Sequence, residues 1–329
     1  MRPIRFLILA SLVFLLAAAP ALADPIIIKF THVVAVDTPK GQAAEYFKKL
    51  VEERSKGEMV VEVYPNSSLF DDKDVLEPLM TNAIQMAAPA FSKFTKMAPE
   101  LQLFDLPFLF NDFDHLHKVT TGPVGDKILQ VVGKKGLVGL GFWDSGFKEL
   151  SANKPLIAPA DAEGLKFRIM SSKVLEAQFK AVNANPQVLP FSEVYSALQQ
   201  KVVDACENPV SNFFTQKFYE VQSDLTMSNQ GYLGYLVVTN KIFWKKLTDD
   251  QKRIVAEAMR DATVYGNDLA KKMDDDYLAK IKASGKTQIH ELTPEQRKAW
   301  KEKMVKIYPE FYDVIGKELI DEALAAGTL

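Results

Sequence analysis

Residues 26–65, IIIKFTHVVAVDTPKGQAAEYFKKLVEERSKGEMVVEVYP, decide the fold class. The run 26–34 is apolar, rich in β-branched residues and of strand length. Asp37-Thr38-Pro39 then marks a helix start, with Thr38 as N-cap and Pro39 at the first helical position. Ala43, Phe47, Leu50, Val51 and Arg54 fall on one helical face, and Gly57 closes the segment. MVVEVYP (59–65) alternates as a strand does. A further helix is predicted through Val75, Leu76, Leu79 and Met80, and a further strand at IQMAAPAF (84–91). This βαβαβ order predicts a mostly parallel sheet covered by helices.

The same rhythm returns downstream. GLVGLGFW (136–143), GLKFRIM (164–170), PQVLPF (186–191), VVDACENP (202–209) and GYLGYLVVTN (231–240) read as strands. Helices are predicted from Val174 to Val182, from a Ser192 cap through Val194 and Leu198, and over NFFTQKFYEVQ (212–222). Beyond Thr248 the chain reads as helical to its end. Thr248…Gln251 and Thr293…Gln296 fit capping boxes. The stretch 249–284 fits one very long helix or two. Two α/β halves without a flexible linker imply several chain crossings, and the cleft between them is the natural ligand site.

Composition narrows the function. The 329 residues carry 40 Lys+Arg against 42 Asp+Glu, a net charge of −2. Without Arg2 and Arg5 of the leader the charge is −4. A near-neutral chain of mixed charge gives no electrostatic footprint for nucleic acid or for an anionic membrane. One cysteine excludes a disulfide framework and any paired-cysteine zinc site. Its neighbours Val202, Val203 and Ala205 predict that Cys206 is a buried, inert thiol.

The first 23 residues follow the grammar of export. Arg2 and Arg5 precede the apolar run FLILASLVFLLAAA, and Ala21-Leu22-Ala23 forms a cleavage site before Asp24. The expectation is a signal peptide over 1–23, cleaved after Ala23, and an exported mature chain. No other stretch approaches the ~18 apolar residues of a membrane span.

Tests for chemistry come back empty. Trp143-Asp144-Ser145-Gly146 lacks the leading glycine of a nucleophile elbow. There is no P-loop, and Gly139-Leu140-Gly141 lacks the third glycine of a dinucleotide fingerprint. His115 and His117 are two positions apart on a predicted helix and do not face one direction. Asp274-Asp275-Asp276, inside a helical run, reads as a solvated face. No catalytic residue, metal site or cofactor is expected.

The block from Trp143 to Trp244 carries a resemblance. GLKFRIMSS, FSEVYSALQQKVVDACENP, QKFYEV and GYLGYLVVTNKIFW, in that order, resemble the solute-binding proteins of tripartite ATP-independent periplasmic (TRAP) transporters. FTHVVAVDTPKG, FSKF (91–94) and WDSGFK (143–148) are similar to the C4-dicarboxylate branch. The resemblance implies two α/β lobes around a central cleft, a long helix along both, and closure around a carboxylate such as succinate, malate or fumarate. It also implies a monomer that meets a small and a large integral membrane subunit. Lobe I is expected to comprise 24–147 with about 235–273, and lobe II 148–234 with about 274–329. Another organic acid (aromatic, keto or sugar acid) in the same cleft, or a sensor-coupled role, is the alternative. Two departures stand out: Ala205-Cys206 replaces the usual Gly-Gln before Glu-Asn-Pro, and Gln230 stands where relatives often have His.

Carried onto this sequence, the resemblance makes Arg168 the carboxylate anchor. A guanidinium presents a fixed fork of donors matched to the two oxygens. Read without the resemblance, Arg168 is a surface arginine on an edge strand. Asn208 would add an amide donor. A dicarboxylate needs a second cation, for which Lys148 and Lys40 are the candidates; Lys40 lies in the first turn of the helix capped by Thr38. Ser92 would offer a hydroxyl, and Phe191 and Tyr235 apolar walls.

Overall fold

The computed structural model describes residues 24–327, so the leader 1–23 and its cleavage site lie outside the described residues. Nine strands form one continuous sheet: β1 (Ile26–Thr31), β2 (Met59–Tyr64), β3 (Met86–Ala87), β4 (Leu137–Ala152), β5 (Lys166–Ile169), β6 (Asn185–Val188), β7 (Ala205–Asn208), β8 (Asp224–Asn240) and β9 (Gln288–Glu291). Their order is β2-β1-β3-β8-β4-β7-β5-β6, with β9 on the far part of β8. β1 pairs in parallel with β2 and β3, and β5 pairs in parallel with β6 and β7. These two parallel groups are the sheets of two lobes.

The strands β4 and β8 join the lobes. They run antiparallel to one another along their whole length and serve both sheets. Sequence periodicity finds only half of each, because three register shifts, at Gly139/Gly141, Asp144/Gly146 and Lys148/Leu150, interrupt the alternation. Gly146 has φ +144°, and a Cβ there would meet the Asp274 carboxylate at 2.9 Å. Glycine is required at that bulge because the long helix passes directly over it.

That helix is continuous over Asp249–Ser284, 36 residues, with the Thr248–Gln251 capping box formed. It is about 54 Å long at 1.5 Å per residue. Ile254, Val255, Ala258, Met259 and Ala262 pack with Phe30, Phe47 and Val61 in the first lobe. Tyr277 and Ile281 pack with Val203, Val210 and Phe213 in the second. Gly266 lets it approach the helix Pro39–Arg54, since a Cβ would stand 2.7 Å from that of Ala43.

Other expectations are corrected. β9 interrupts the helical C-terminal third. The segment beyond Val305 packs against both lobes: Ile307, Phe311, Ile315, Leu319 and Ile320 join Phe104, Leu116 and Ile128 of the first and Val174 of the second. The helix expected over 212–222 stops at Thr215, and Lys217 takes a left-handed φ of 58° before a short 3-10 turn. Ser192 caps no helix; its hydroxyl donates to Asp71 Oδ2 at 2.7 Å, across the cleft. Asp274 is no solvated residue, for its Oδ1 accepts the Ser211 amide and burial pushes it up to about 7.

Candidate carboxylate-binding cleft

The cleft is built where the parallel strands end. Val33 and Val34 follow β1, Ala90 and Lys93 follow β3, Arg168 and Met170 close β5, Phe191 follows β6, and Glu207 and Asn208 end β7. With Asp72, Lys148, Asn212, Leu233 and Tyr235 they line one cavity. Side chains beyond the carboxyl ends of strands from two lobes converge there because the connecting loops must turn at that edge. The cavity has a free volume of about 20 Å³, little more than the ~10–15 Å³ one water needs. A space this tight admits a solute only when the lobes part.

Arg168 is 2% exposed. It is no edge-strand surface residue, because β5 lies between β7 and β6. Its Nε and Nη2 donate to the Leu189 carbonyl at 3.1 and 2.9 Å, which fixes the plane of the guanidinium. Phe191 lies 5.9 Å from its centre. No carboxylate of the described residues comes within 4 Å of it, and Nη1 has no hydrogen-bond partner among them. Burial pulls its pKa down, with Cys206, Glu207, Asp71 and Asp72 opposing. A buried guanidinium without a counter-charge is expensive unless an anion is supplied.

Lys148 is buried also, but its Nζ is 2.6 Å from Glu207 Oε1. Glu207 Oε2 further accepts from Gln178 at 3.3 Å and from Gln230 at 2.9 Å. Gln230 lies within β8, not on a loop, so it belongs to this network. Asn208 Nδ2 reaches Cys206 Sγ at 3.5 Å, and Ser151 Oγ is 3.2 Å from the same sulfur. Burial pushes the thiol up, so Cys206 is inert as expected.

Lys40 and Ser92 do not line the cavity. Lys40 Nζ donates to the Ala88 carbonyl at 3.0 Å and stands 3.5 Å above the Tyr235 ring. Burial pulls it down to about 8, with Asp72 opposing. Ser92 Oγ contacts Met170 Sδ at 3.6 Å. Tyr235 is itself a wall, its hydroxyl pushed up to about 12 by burial. Lys93, Asp72, Met170 and Asn212 were not singled out by the sequence reading. Lys93 lies between Phe91 and Phe94, and only that aromatic framing could have signalled a lysine held inward.

His115 and His117 hold structure. His115 Nε2 is 2.7 Å from the Ala323 carbonyl, and His117 Nε2 is 2.6 Å from Asp144 Oδ2. Among the described residues no group of His, Cys, Asp or Glu is placed to hold a metal.

Two lobes on crossing strands, with a buried basic cleft between them, define a protein that binds an anionic solute. Comparison with known proteins makes this specific: the profile of bacterial extracellular solute-binding protein family 7 (DctP) matches residues 30–314, and the chain belongs to that family. The C4-dicarboxylate-binding periplasmic protein DctP of Rhodobacter capsulatus is 50% identical over 96% of each chain. A crystal structure of a TRAP periplasmic solute-binding protein from Sulfurospirillum deleyianum with bound succinate is 56% identical, with a TM-score of 0.89 over 92% of this chain and 99% of that one. One from Shewanella oneidensis, also with succinate, is 46% identical, with a TM-score of 0.91 over 92% and 99%. The family serves solute transport and does not consist of enzymes. No described helix is long and apolar enough to cross a membrane.

Proposed function

We propose that this protein captures a C4-dicarboxylate such as succinate, malate or fumarate in the periplasm and delivers it to a TRAP-type secondary transporter. The observation that carries this is Arg168, buried at the closed cleft with its fork oriented by Leu189 and no carboxylate of the described residues to pair with. A ligand carboxylate supplies the missing counter-charge in bidentate geometry. Asn208 donates beside it, and Phe191 and Tyr235 are the apolar walls. Lys148 acts through Glu207, holding Asn208's strand against β4, while Lys40 and Ser92 brace the opposite wall from behind. Closure follows because the ligand touches both lobes only when they meet.

The relatives' names and their succinate ligands support the same solute class. The remaining parts of the reading are export with cleavage after Ala23, action as a monomer, and docking on a small and a large membrane subunit. Lobe I then comprises 24–147 with about 235–273, and lobe II 148–234 with about 274–329, the segment beyond Val305 reaching across to the first lobe.

A thermal-shift panel tests the solute class. At a hundred times its dissociation constant, succinate or malate stabilises by about 2.7 kcal/mol, a rise of several degrees for a chain of this size. Butyrate at the same concentration gives no rise. An equal rise with the monoacid overturns the dicarboxylate reading.

A further inference from the structure

Three lysines reach the neighbourhood of Arg168, and they differ in what already holds them. Lys148 is spent on Glu207, 2.6 Å away. Lys40 is spent on the Ala88 carbonyl and the face of Tyr235. Lys93 lines the cavity, and its ammonium has neither a hydrogen bond nor an ion pair within 4 Å among the described residues.

The position of Lys93 is rigid. It sits on the single 3-10 turn Phe91–Phe94, whose two phenylalanines are buried in the first lobe's core. Phe91 stacks on Phe104 with ring centroids 4.2 Å apart. Arg168 enters from the second lobe, and the two cations are close enough that each charge is felt by the other; burial and Arg168 together lower the pKa of Lys93, with Asp72 opposing. Asp72 is turned toward the Ala90 amide at 3.4 Å, not onto Lys93 as an ion pair. Two like charges facing each other in an enclosed space favour one kind of occupant, an anion that meets both.

We propose that Lys93 receives the second carboxylate of the ligand, so that a dicarboxylate bridges Arg168 on one lobe and Lys93 on the other. This rests on the carboxylate reading of the Arg168 site and adds to it the residue that selects two charges over one. A monocarboxylate leaves Lys93 enclosed without a counter-charge and is rejected for that reason. Because Lys93 travels with the first lobe, the bridge exists only after closure. The same contact therefore couples selection to the closed state.

Calorimetric titration of the parent, Lys93→Met and Lys93→Arg with succinate and with butyrate tests the assignment. Lys93→Met should weaken succinate binding by at least about tenfold, the worth of one hydrogen bond to a charged group, while butyrate binding stays unchanged or improves. Lys93→Arg should restore part of the preference. If folded Lys93→Met keeps the parent's succinate-to-butyrate ratio within threefold, the second carboxylate is held elsewhere, and the Arg168 reading stands without it. If the parent itself does not prefer succinate to butyrate, both readings fail. Should Lys93→Met not fold, a crystal structure of the parent with succinate decides. A carboxylate oxygen within about 3.2 Å of Lys93 Nζ supports the assignment, and one beyond about 5 Å overturns it.

Discussion

On the second lobe's wall the charged groups are held in place by neighbours: Lys148 pairs with Glu207, Gln178 and Gln230 share that carboxylate, and Leu189 orients Arg168, whose charge alone awaits a partner. On the first lobe's wall they are not. Lys93 has no partner among the described residues, and Lys40 has only a carbonyl and a ring. His32, nearby and buried, has neither ring nitrogen bonded, and burial with Lys40 beside it pulls it down to about 3. One wall is thus organised before the solute arrives, and the other is completed by it. On the proposed function, the carboxylate lands first on Arg168 and the first lobe then closes onto the far end. That reading also assigns a division of labour, in which the second lobe fixes the carboxylate and the first reads what is attached to it.

Breaking the organised wall should have the largest effect. Glu207→Leu leaves the Lys148 ammonium buried without a counter-charge, a loss of about 3–5 kcal/mol of stability. Chemical denaturation should show it. The double variant Lys148→Met/Glu207→Leu should recover part of the loss, because the unpaired ammonium goes with it while the Gln178 and Gln230 amides still lack their acceptor. If the double variant is as unstable as the single one, the pair is not what organises the wall.

Strand β4 and the long helix that crosses it offer an intermediate effect with a definite sign. Burial raises Glu149 to about 8 and Asp274 to about 7. Below the ordinary carboxylate range both are protonated in folded and unfolded chains alike, and their contribution is fully present. As the pH rises toward 7 and 8 the unfolded chain releases these protons while the folded chain keeps them, so stability falls through that window. Asp274→Asn keeps an acceptor for the Ser211 amide and removes the titration. Melting of parent and variant should agree near about pH 4 and diverge near about pH 8, with the variant higher. Parallel curves across that range would show that Asp274 is not held protonated over the bulge.

The smallest effect is expected at the rim. Ser192→Ala removes the bond to Asp71 that spans the cleft. An exposed neutral-to-charged bond is worth roughly 1 kcal/mol, so succinate affinity should fall by about fivefold or less. A hundredfold loss would mean that the rim, and not the two cations, drives closure.

Much of this was readable in the sequence where local chemistry decides the outcome. The Thr38 cap, the start of β1, and the boxes at Thr248 and Thr293 all form as their residues require. Arg168 and Asn208, which line the cleft, were singled out only through the resemblance, since GLKFRI by itself reads as an exposed edge. What escaped was set by distant parts of the chain. β4 and β8 hide their length because bulges at Gly141 and Gly146 reset the alternation. Asp274 reads as solvent-facing until the Gly146 bulge and the Ser211 amide are brought to it. Lys93 looks like any lysine until Phe91 and Phe94 are seen to be core. Lys40, favoured for its place at a helix start, is instead taken up by Ala88 and Tyr235.

The central claim is that Arg168 holds a carboxylate by the geometry of its fork, and calorimetric titration of Arg168→Lys with succinate tests it most directly. The substitution keeps the charge and replaces two parallel donors by one compact ammonium on a flexible stem. A bond to a charged group is worth roughly 1.5–3 kcal/mol, so the affinity should fall by at least about tenfold, with the circular dichroism spectrum unchanged. A folded Arg168→Lys protein that binds succinate within threefold of the parent would contradict the account, because the carboxylate would then be held by something other than Arg168.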